Sequence, residues 1–268
     1  MRKTGLIVGA AGVVVFSLFA ATASAAFVIP PGWTCNGTCG TLGADGVVTA
    51  PPVGTEYQFI STAPGANGVP APTGVGQLPG VGGTNGSLLT TNAFSASGSD
   101  QLVFDFNYVT SDGSEFADYA WAELVPSGGG SPIVLFDART TPSGNTVPGF
   151  GLPPIAVTLT PPSTPIIAGA TTWSPLGSSS GACFNGVGQG CGNTNWIQAS
   201  FTPAAGTYTL QFGVTNFLDT AFDSGLAIAG ASIGGVPITP TDAAPEPTTL
   251  ILVGAGLIGA LKKARSRV

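Results

Sequence analysis

Chemistry in this chain has to be built from acids, hydroxyls and thiols. The 268 residues include no His, which excludes His-based catalytic triads and His-ligated zinc. The acids are the richest candidates. Asp112, Glu115 and Asp118 lie in one short stretch, and Asp219 and Asp223 bracket a second. Calcium takes about six to eight oxygen ligands, and loops of Asp, Asn, Ser and Gly can supply them. A weak calcium site held by these five acids is one expectation, and no other cofactor is indicated. The spacing matches no EF-hand. The competing reading makes all five solvated turn residues that form Asx turns.

Other chemistries fare worse. Asp223-Ser224-Gly225 has the form of an aspartic-protease motif, but one copy cannot build a two-carboxylate dyad. Glu123, two residues past Trp121, would suit a sugar if acid and ring shared a concave face. Placing Trp121 in the core removes that option. No catalytic residues are assigned, and an enzyme is not expected. The cysteines fall into two close pairs, Cys35 with Cys39 and Cys183 with Cys191. Three pairings are open. The local one would pin Gly-rich turns, because short loops gain little from closure entropy. A four-thiolate metal site is the alternative, with a second spacing wide for zinc. A catalytic thiol would lack a base.

These side chains need strands to hold them. With 41 Gly, 23 Pro and only 7% charged residues, the composition fits short strands joined by many turns. Residues 101–109 alternate, with Leu102, Phe104, Phe106 and Tyr108 on one face. Residues 116–125 continue the pattern, with Tyr119 and Trp121 expected inward. The Asp112-Gly113 step between the two predicts a hairpin. Further strands are expected at 56–60, 87–94, 133–136, 155–159, 196–201, 207–214 and 226–233. The predicted fold is all-β, an antiparallel β-sandwich with jelly-roll-like connections. The Gly/Pro-rich stretch 63–86 reads as a long surface loop.

The ends are different in kind. Arg2 and Lys3, an apolar run over 5–19 and small residues up to Ala26 form a secretory signal, cut by signal peptidase after Ala25 or Ala26. Residues 27–236 are the sandwich and 237–244 a spacer. Between 27 and 244 stand twelve acids and one basic residue, Arg139. A surface of that sign repels nucleic acid and anionic lipid. Arg139 is expected to pair with Asp137, two residues away.

Pro245-Glu246-Pro247 is followed by the apolar run 248–261 and the basic Lys262, Lys263, Arg265 and Arg267. This order resembles the PEP-CTERM sorting signal of Gram-negative bacteria. The resemblance implies recognition by exosortase at the inner membrane during export by the general secretory route. It places the product at the cell surface or in the extracellular matrix. The apolar run reads as a short transmembrane segment in transient contact with the inner membrane. At 1.5 Å rise, fourteen residues span about 21 Å against a core of about 30 Å. Three blocks between about 100 and 233 also resemble a PEP-CTERM protein family of unknown biochemical role: FNYVTSDGSEFADYAWAEL, LFDARTTPSGNTVPGFG and QFGVTNFLDTAFDSGLAIAGASI. The expected function is that of a structural or adhesive protein of the surface polysaccharide layer. The alternatives are a calcium-assisted carbohydrate-binding module and, behind it, a surface glycan hydrolase.

Overall fold

The alternating stretches do form strands, and the aromatic face of 102–108 becomes the centre of the molecule. The computed structural model describes residues 28–65 and 68–238. In chain order the strands are β1 (Thr34–Asn36), β2 (Thr38–Leu42), β3 (Tyr57–Ser61), β4 (Gly86–Thr90), β5 (Phe94–Ala96), β6 (Leu102–Thr110), β7 (Tyr119–Pro126) and β8 (Ile133–Arg139). They continue as β9 (Thr158–Thr160), β10 (Ile167–Ala168), β11 (Gly192–Asn193), β12 (Ile197–Phe201), β13 (Gly206–Thr215), β14 (Ser224–Ile233) and β15 (Val236–Pro237). One sheet runs β1-β4-β13-β7-β8, with β5 also on β13. The other runs β10-β11-β6-β14-β3-β2, with β12 between β6 and β9 and β15 on β14. The strand pairs are antiparallel.

The two sheets pack as a sandwich. Leu102, Phe104, Phe106 and Tyr108 of β6 enter one core with Ala120, Ala122, Phe136, Leu210, Phe212 and Val214 of the facing sheet. Phe106 stacks on Phe136 with centroids 3.7 Å apart, and Phe104 meets Phe212 edge-on at 5.5 Å. Such aromatic pairs add about 0.5–1.5 kcal/mol beyond the area they bury.

Both outer faces are covered as well. Behind β3, β6 and β14, the 3-10 turn Ser174–Ser179 brings Trp173 and Leu176 onto Tyr57, Phe59, Val109 and Ala227. On the opposite sheet, Tyr119 and Trp121 point outward, not into the core, and Ala120 and Ala122 point inward. The Gly/Pro-rich stretch is what makes this possible. It lies across the sheet, so that Trp121 donates Nε1 to the Gly76 carbonyl at 2.7 Å and Tyr119 donates its hydroxyl to the Gly82 carbonyl at 2.6 Å. The part of 63–86 from Gly76 to Gly82 therefore forms a cover for two aromatic rings, where a plain surface loop was expected.

The expected hairpin is also absent. β6 and β7 lie in different sheets, and the true hairpin partner of β7 is β8. A tight two-residue hairpin turn of type I′ needs positive φ at both central residues, but Gly113 sits at φ −96°. Residues 111–118 instead arch from one sheet to the other. Two ends also change. Ile238 is buried and donates its N–H to the Ala231 carbonyl at 2.8 Å, so the sandwich runs past 236. The transmembrane expectation is corrected: among the described residues no helix is long and apolar enough to cross a membrane. The run 248–261 on which it rested lies outside the described residues, as do the leader 1–26 and residues 239–268.

The outer-face packing is testable at Gly213. A Cβ there would stand 2.2 Å from Cε2 of Trp121, a ring tied through Nε1 to the Gly76 carbonyl. Gly213→Ala is expected to destabilise the protein by about 1–3 kcal/mol through overpacking. Thermal melts should show a midpoint lowered by roughly 2–4 °C for each kcal/mol.

Candidate functional site

Three loops meet at one end of the sandwich: the arch 111–118, the β13–β14 connection 216–223, and the loop closed by Cys183–Cys191. The disulfides are the local pairs, Cys35–Cys39 and Cys183–Cys191. The second one shapes this end directly. Phe184, next to Cys183, donates its N–H to the Ser111 carbonyl at 2.9 Å, and Ser114 donates its N–H to the Gln189 carbonyl at 2.8 Å. A Cβ on Gly113 would stand 2.6 Å from the Phe184 ring, which explains the glycine there without invoking a turn. Phe184 in turn makes edge contacts with Phe116 and Phe222, at 5.3 and 5.2 Å.

Beneath this cap lie three of the five singled-out acids. Asp112, Asp118 and Asp223 are buried, Asp219 is half-buried and Glu115 is exposed. Asp118 accepts from the Phe217 N–H at 2.8 Å and contacts the Ser224 hydroxyl at 2.7 Å. Asp223 accepts from the hydroxyls of Thr62 at 3.1 Å and Ser179 at 2.8 Å. Asp112 accepts from the Gly113 N–H at 2.6 Å through Oδ1, and its Oδ2 is buried without a hydrogen-bond partner. Among the described residues, no group of three or more acids or thiols stands where it could hold a metal ion. Each buried carboxylate is instead engaged by its own hydroxyl or backbone donors.

Burial raises the acidity constants here. Desolvation lifts Asp112 to about 7, with the charges of Asp219 and Asp223 adding to it. Burial, then the nearby Asp112, raises Asp118 well above the ordinary carboxylate range. Asp223 is raised by burial against the opposing effect of its Ser179 and Thr62 hydrogen bonds. Geometry agrees for Asp118. The single Ser224 hydroxyl proton faces both Asp118 Oδ2 at 2.7 Å and Thr110 Oγ1 at 2.8 Å. A proton on Asp118 resolves this, since Asp118 then donates to Ser224 and Ser224 to Thr110.

Asp137 and Arg139 behave differently from expectation. Asp137 accepts from the Gly149 N–H at 2.5 Å, and burial lifts it to about 7. The Arg139 guanidinium is enclosed by the rings of Phe217 at 4.7 Å, Phe150 at 5.2 Å and Tyr119 at 5.8 Å. It donates to the carbonyls of Ala117 at 3.0 Å and Phe150 at 3.4 Å. A caged cation thus replaces the expected ion pair. Such contacts are favoured when desolvated, by about 2 kcal/mol. Trp121 is covered and Glu123 buried, so the two form no open sugar platform.

Beside the acids a groove of about 500 Å³ opens between the β13–β14 connection and the outer loops. Thr62, Asn85 and Asp223 form its buried part, and Pro70, Ser178, Thr220 and Phe222 lie nearer solvent. Of these, sequence reading singled out Asp223 alone. The Ser178-Ser179-Ser180 run beside Trp173 was a usable signal. The approach of Thr62 and Asn85 was not, because the two stand at opposite ends of the Gly/Pro-rich stretch, 23 residues apart in sequence.

The remaining evidence lies in the tail. Residues 243–267 match the model of the PEP-CTERM protein-sorting motif. The chain carries a PEP-CTERM sorting signal. It is thereby an exported protein, sent by the general secretory route and the exosortase system to the cell surface. No curated protein matches the chain. The solved structures similar to it include two adhesin domains. One is the K1 cleaved adhesin domain of Lys-gingipain from Porphyromonas gingivalis W83, at 14% identity and TM-score 0.36, covering 76% of this chain and 94% of that one. The other is the K3 cleaved adhesin domain of the same protein, at 15% identity and TM-score 0.31, covering 75% and 92%.

The buried carboxylates set a pH dependence. With Asp112 and Asp137 raised from 3.8 to about 7, the folded state holds protons that the unfolded chain has released between about pH 4 and 7. Their contribution is most favourable below about pH 4, is lost as pH rises through 7, and is level above. Melting midpoints measured from pH 4 to 8 should fall across that window. Asp118→Asn keeps both hydrogen bonds, its amide donating to Ser224 as the protonated acid does, and removes the proton uptake that folding otherwise requires at high pH. It should raise the midpoint at pH 8 by about 2–4 °C, equivalent to roughly 1 kcal/mol.

Proposed function

We propose that the mature chain is a non-catalytic structural and adhesive module of the cell surface, in contact with extracellular polysaccharide. Signal peptidase releases it from its leader after Ala25 or Ala26. The observation that carries the reading is the sorting motif joined to a disulfide-stapled sandwich whose acids serve the fold. Asp118 and Asp223 are held by Ser, Thr and backbone donors that the sandwich itself supplies. Acids used in this way are structural acceptors. A retaining or inverting glycosidase needs two carboxylates about 5–9.5 Å apart across a cleft, and Asp223 is the one acid among the residues lining the groove. The same engagement by hydroxyl donors supports structural roles for these acids over calcium ligation.

The test follows the chain in its own host, with an epitope inserted at the exposed tip 128–130 of the β7–β8 hairpin. The parent protein is expected at the surface. Replacing Pro245, Glu246 and Pro247 with Ala should hold it at the inner membrane, read by fractionation and by whole-cell labelling. Deleting the gene should weaken cohesion of the surface layer, measured as cell sedimentation and matrix recovery. Surface arrival of the triple variant at the parent level overturns the sorting step. Unchanged cohesion in the deletion strain overturns the structural and adhesive role.

A further inference from the structure

The groove at the loop end has a composition that selects its ligand. Its buried part carries one carboxylate, Asp223, and one amide, Asn85, each already anchored inside the protein. Asp223 is held by Thr62 and Ser179, and Asn85 donates to the Thr62 carbonyl at 3.2 Å and accepts from the Asn216 amide at 3.2 Å. Asp223 is fixed in place and its carboxylate keeps lone-pair capacity to offer, while Asn85 Oδ1 also receives the Thr84 hydroxyl at 3.4 Å and is taken up inside the protein. Around them stand the hydroxyls of Ser178 and Thr220. The apolar part is the faces of Pro70 and Phe222. No basic residue lines the groove.

The backbone adds a second, independent observation. Phe222 has φ 55° and Leu218 has φ 74°. Bulky residues rarely adopt this left-handed conformation, because their Cβ crowds the backbone there. The strain falls on the loop that forms one wall of the groove. The Phe184 ring, tied through Cys183–Cys191, holds Phe222 from the other side. Backbone strain of this kind concentrates where a side chain must be held for a ligand.

We propose that this groove binds a neutral saccharide unit directly, with Asp223 accepting from its hydroxyls, Asn85 shaping the buried wall and Phe222 packing on its C–H face. The inference deepens the surface-layer reading above and rests on it, because it names the class of polymer the module holds. The size is suitable, since small-molecule sites run from about 300 to 1,000 Å³. The chemistry excludes two neighbours of that class. A uronate or sulfated sugar would bring its charge against Asp223 with no cation to offset it. A purely apolar ligand would cover the outward lone pairs of the Asp223 carboxylate without offering them a donor.

The test uses the exported protein recovered from the cell exterior, labelled for NMR. The probes are cellotriose, maltotriose and chitotriose at up to 20 mM, with trigalacturonate as the anionic control and all titrations repeated in EDTA. Saturable shifts at 220–223 and 85 with at least one neutral trisaccharide, unchanged by EDTA and absent with trigalacturonate, are expected. Phe222→Asn suits the left-handed backbone and should leave the melting midpoint near that of the parent while weakening binding at least tenfold. Thr220→Val keeps the shape and should weaken it about threefold to tenfold. Three results overturn the proposal: no saturable shift with any neutral probe, binding that requires added calcium, or equal binding by Phe222→Asn. A silent groove in a protein that still reaches the surface and supports cohesion removes this site alone. Loss of cohesion with binding intact in a sorting variant separates the two in the other direction.

Discussion

The residue on which most of the architecture converges is Asp118. Its carbonyl accepts from the Tyr108 hydroxyl at 3.0 Å and the Thr140 N–H at 2.9 Å, and its carboxyl group reaches Phe217 and Ser224. β6, the segment after β8, and both ends of the β13–β14 connection are thereby fixed to one buried point. Burying a carboxyl is unfavourable unless its hydrogen bonds are met. Here they are met only when both sheets and the arch between them are in place. The group thus specifies how the two sheets are joined, while the stacked Phe layer between them supplies the general attraction.

A second constraint follows from composition. Sheets normally bury one face and wet the other, or are covered by helices. This chain has few charged residues to make a wet face and, among the described residues, no α-helix to cover one. Loops do the covering. The stretch through Gly76 and Gly82 lies on Trp121 and Tyr119, and the turn carrying Trp173 lies on Tyr57 and Phe59. A loop can serve this way because its backbone carbonyls take the indole N–H and phenol O–H that an aliphatic cover would leave unpaired.

That arrangement explains what the sequence did and did not disclose. β6, β13 and β14 were readable because alternation over eight to ten residues outweighs local noise. The inward direction of Trp121 was misread for the same reason. Alternation reports two faces, and both are buried here, so parity alone cannot say which faces the shared core. Asp112-Gly113 was read as a hairpin because that dipeptide favours tight turns. In the fold, the glycine answers to the Phe184 ring, some seventy residues away. The short disulfides were visible as spacing. The groove was not, since Thr62, Asn85, Ser179 and Asp223 come from four segments with no common pattern. Arg139 was read from its nearest acid in sequence, while the rings that enclose it come from β7, from the segment after β8 and from beyond β13.

The caging of Arg139 has a consequence outside the fold. From 28 to 238 the chain contains one Arg and no Lys, and that Arg is 8% exposed beneath three aromatic rings. A protease that cleaves after basic residues must draw such a side chain into its own pocket from an extended segment. The folded domain offers it none, and it offers amine-directed coupling no lysine within that span. Outside the cell, where trypsin-like digestion is a common hazard, the module is resistant because the one side chain that would invite cutting is kept indoors.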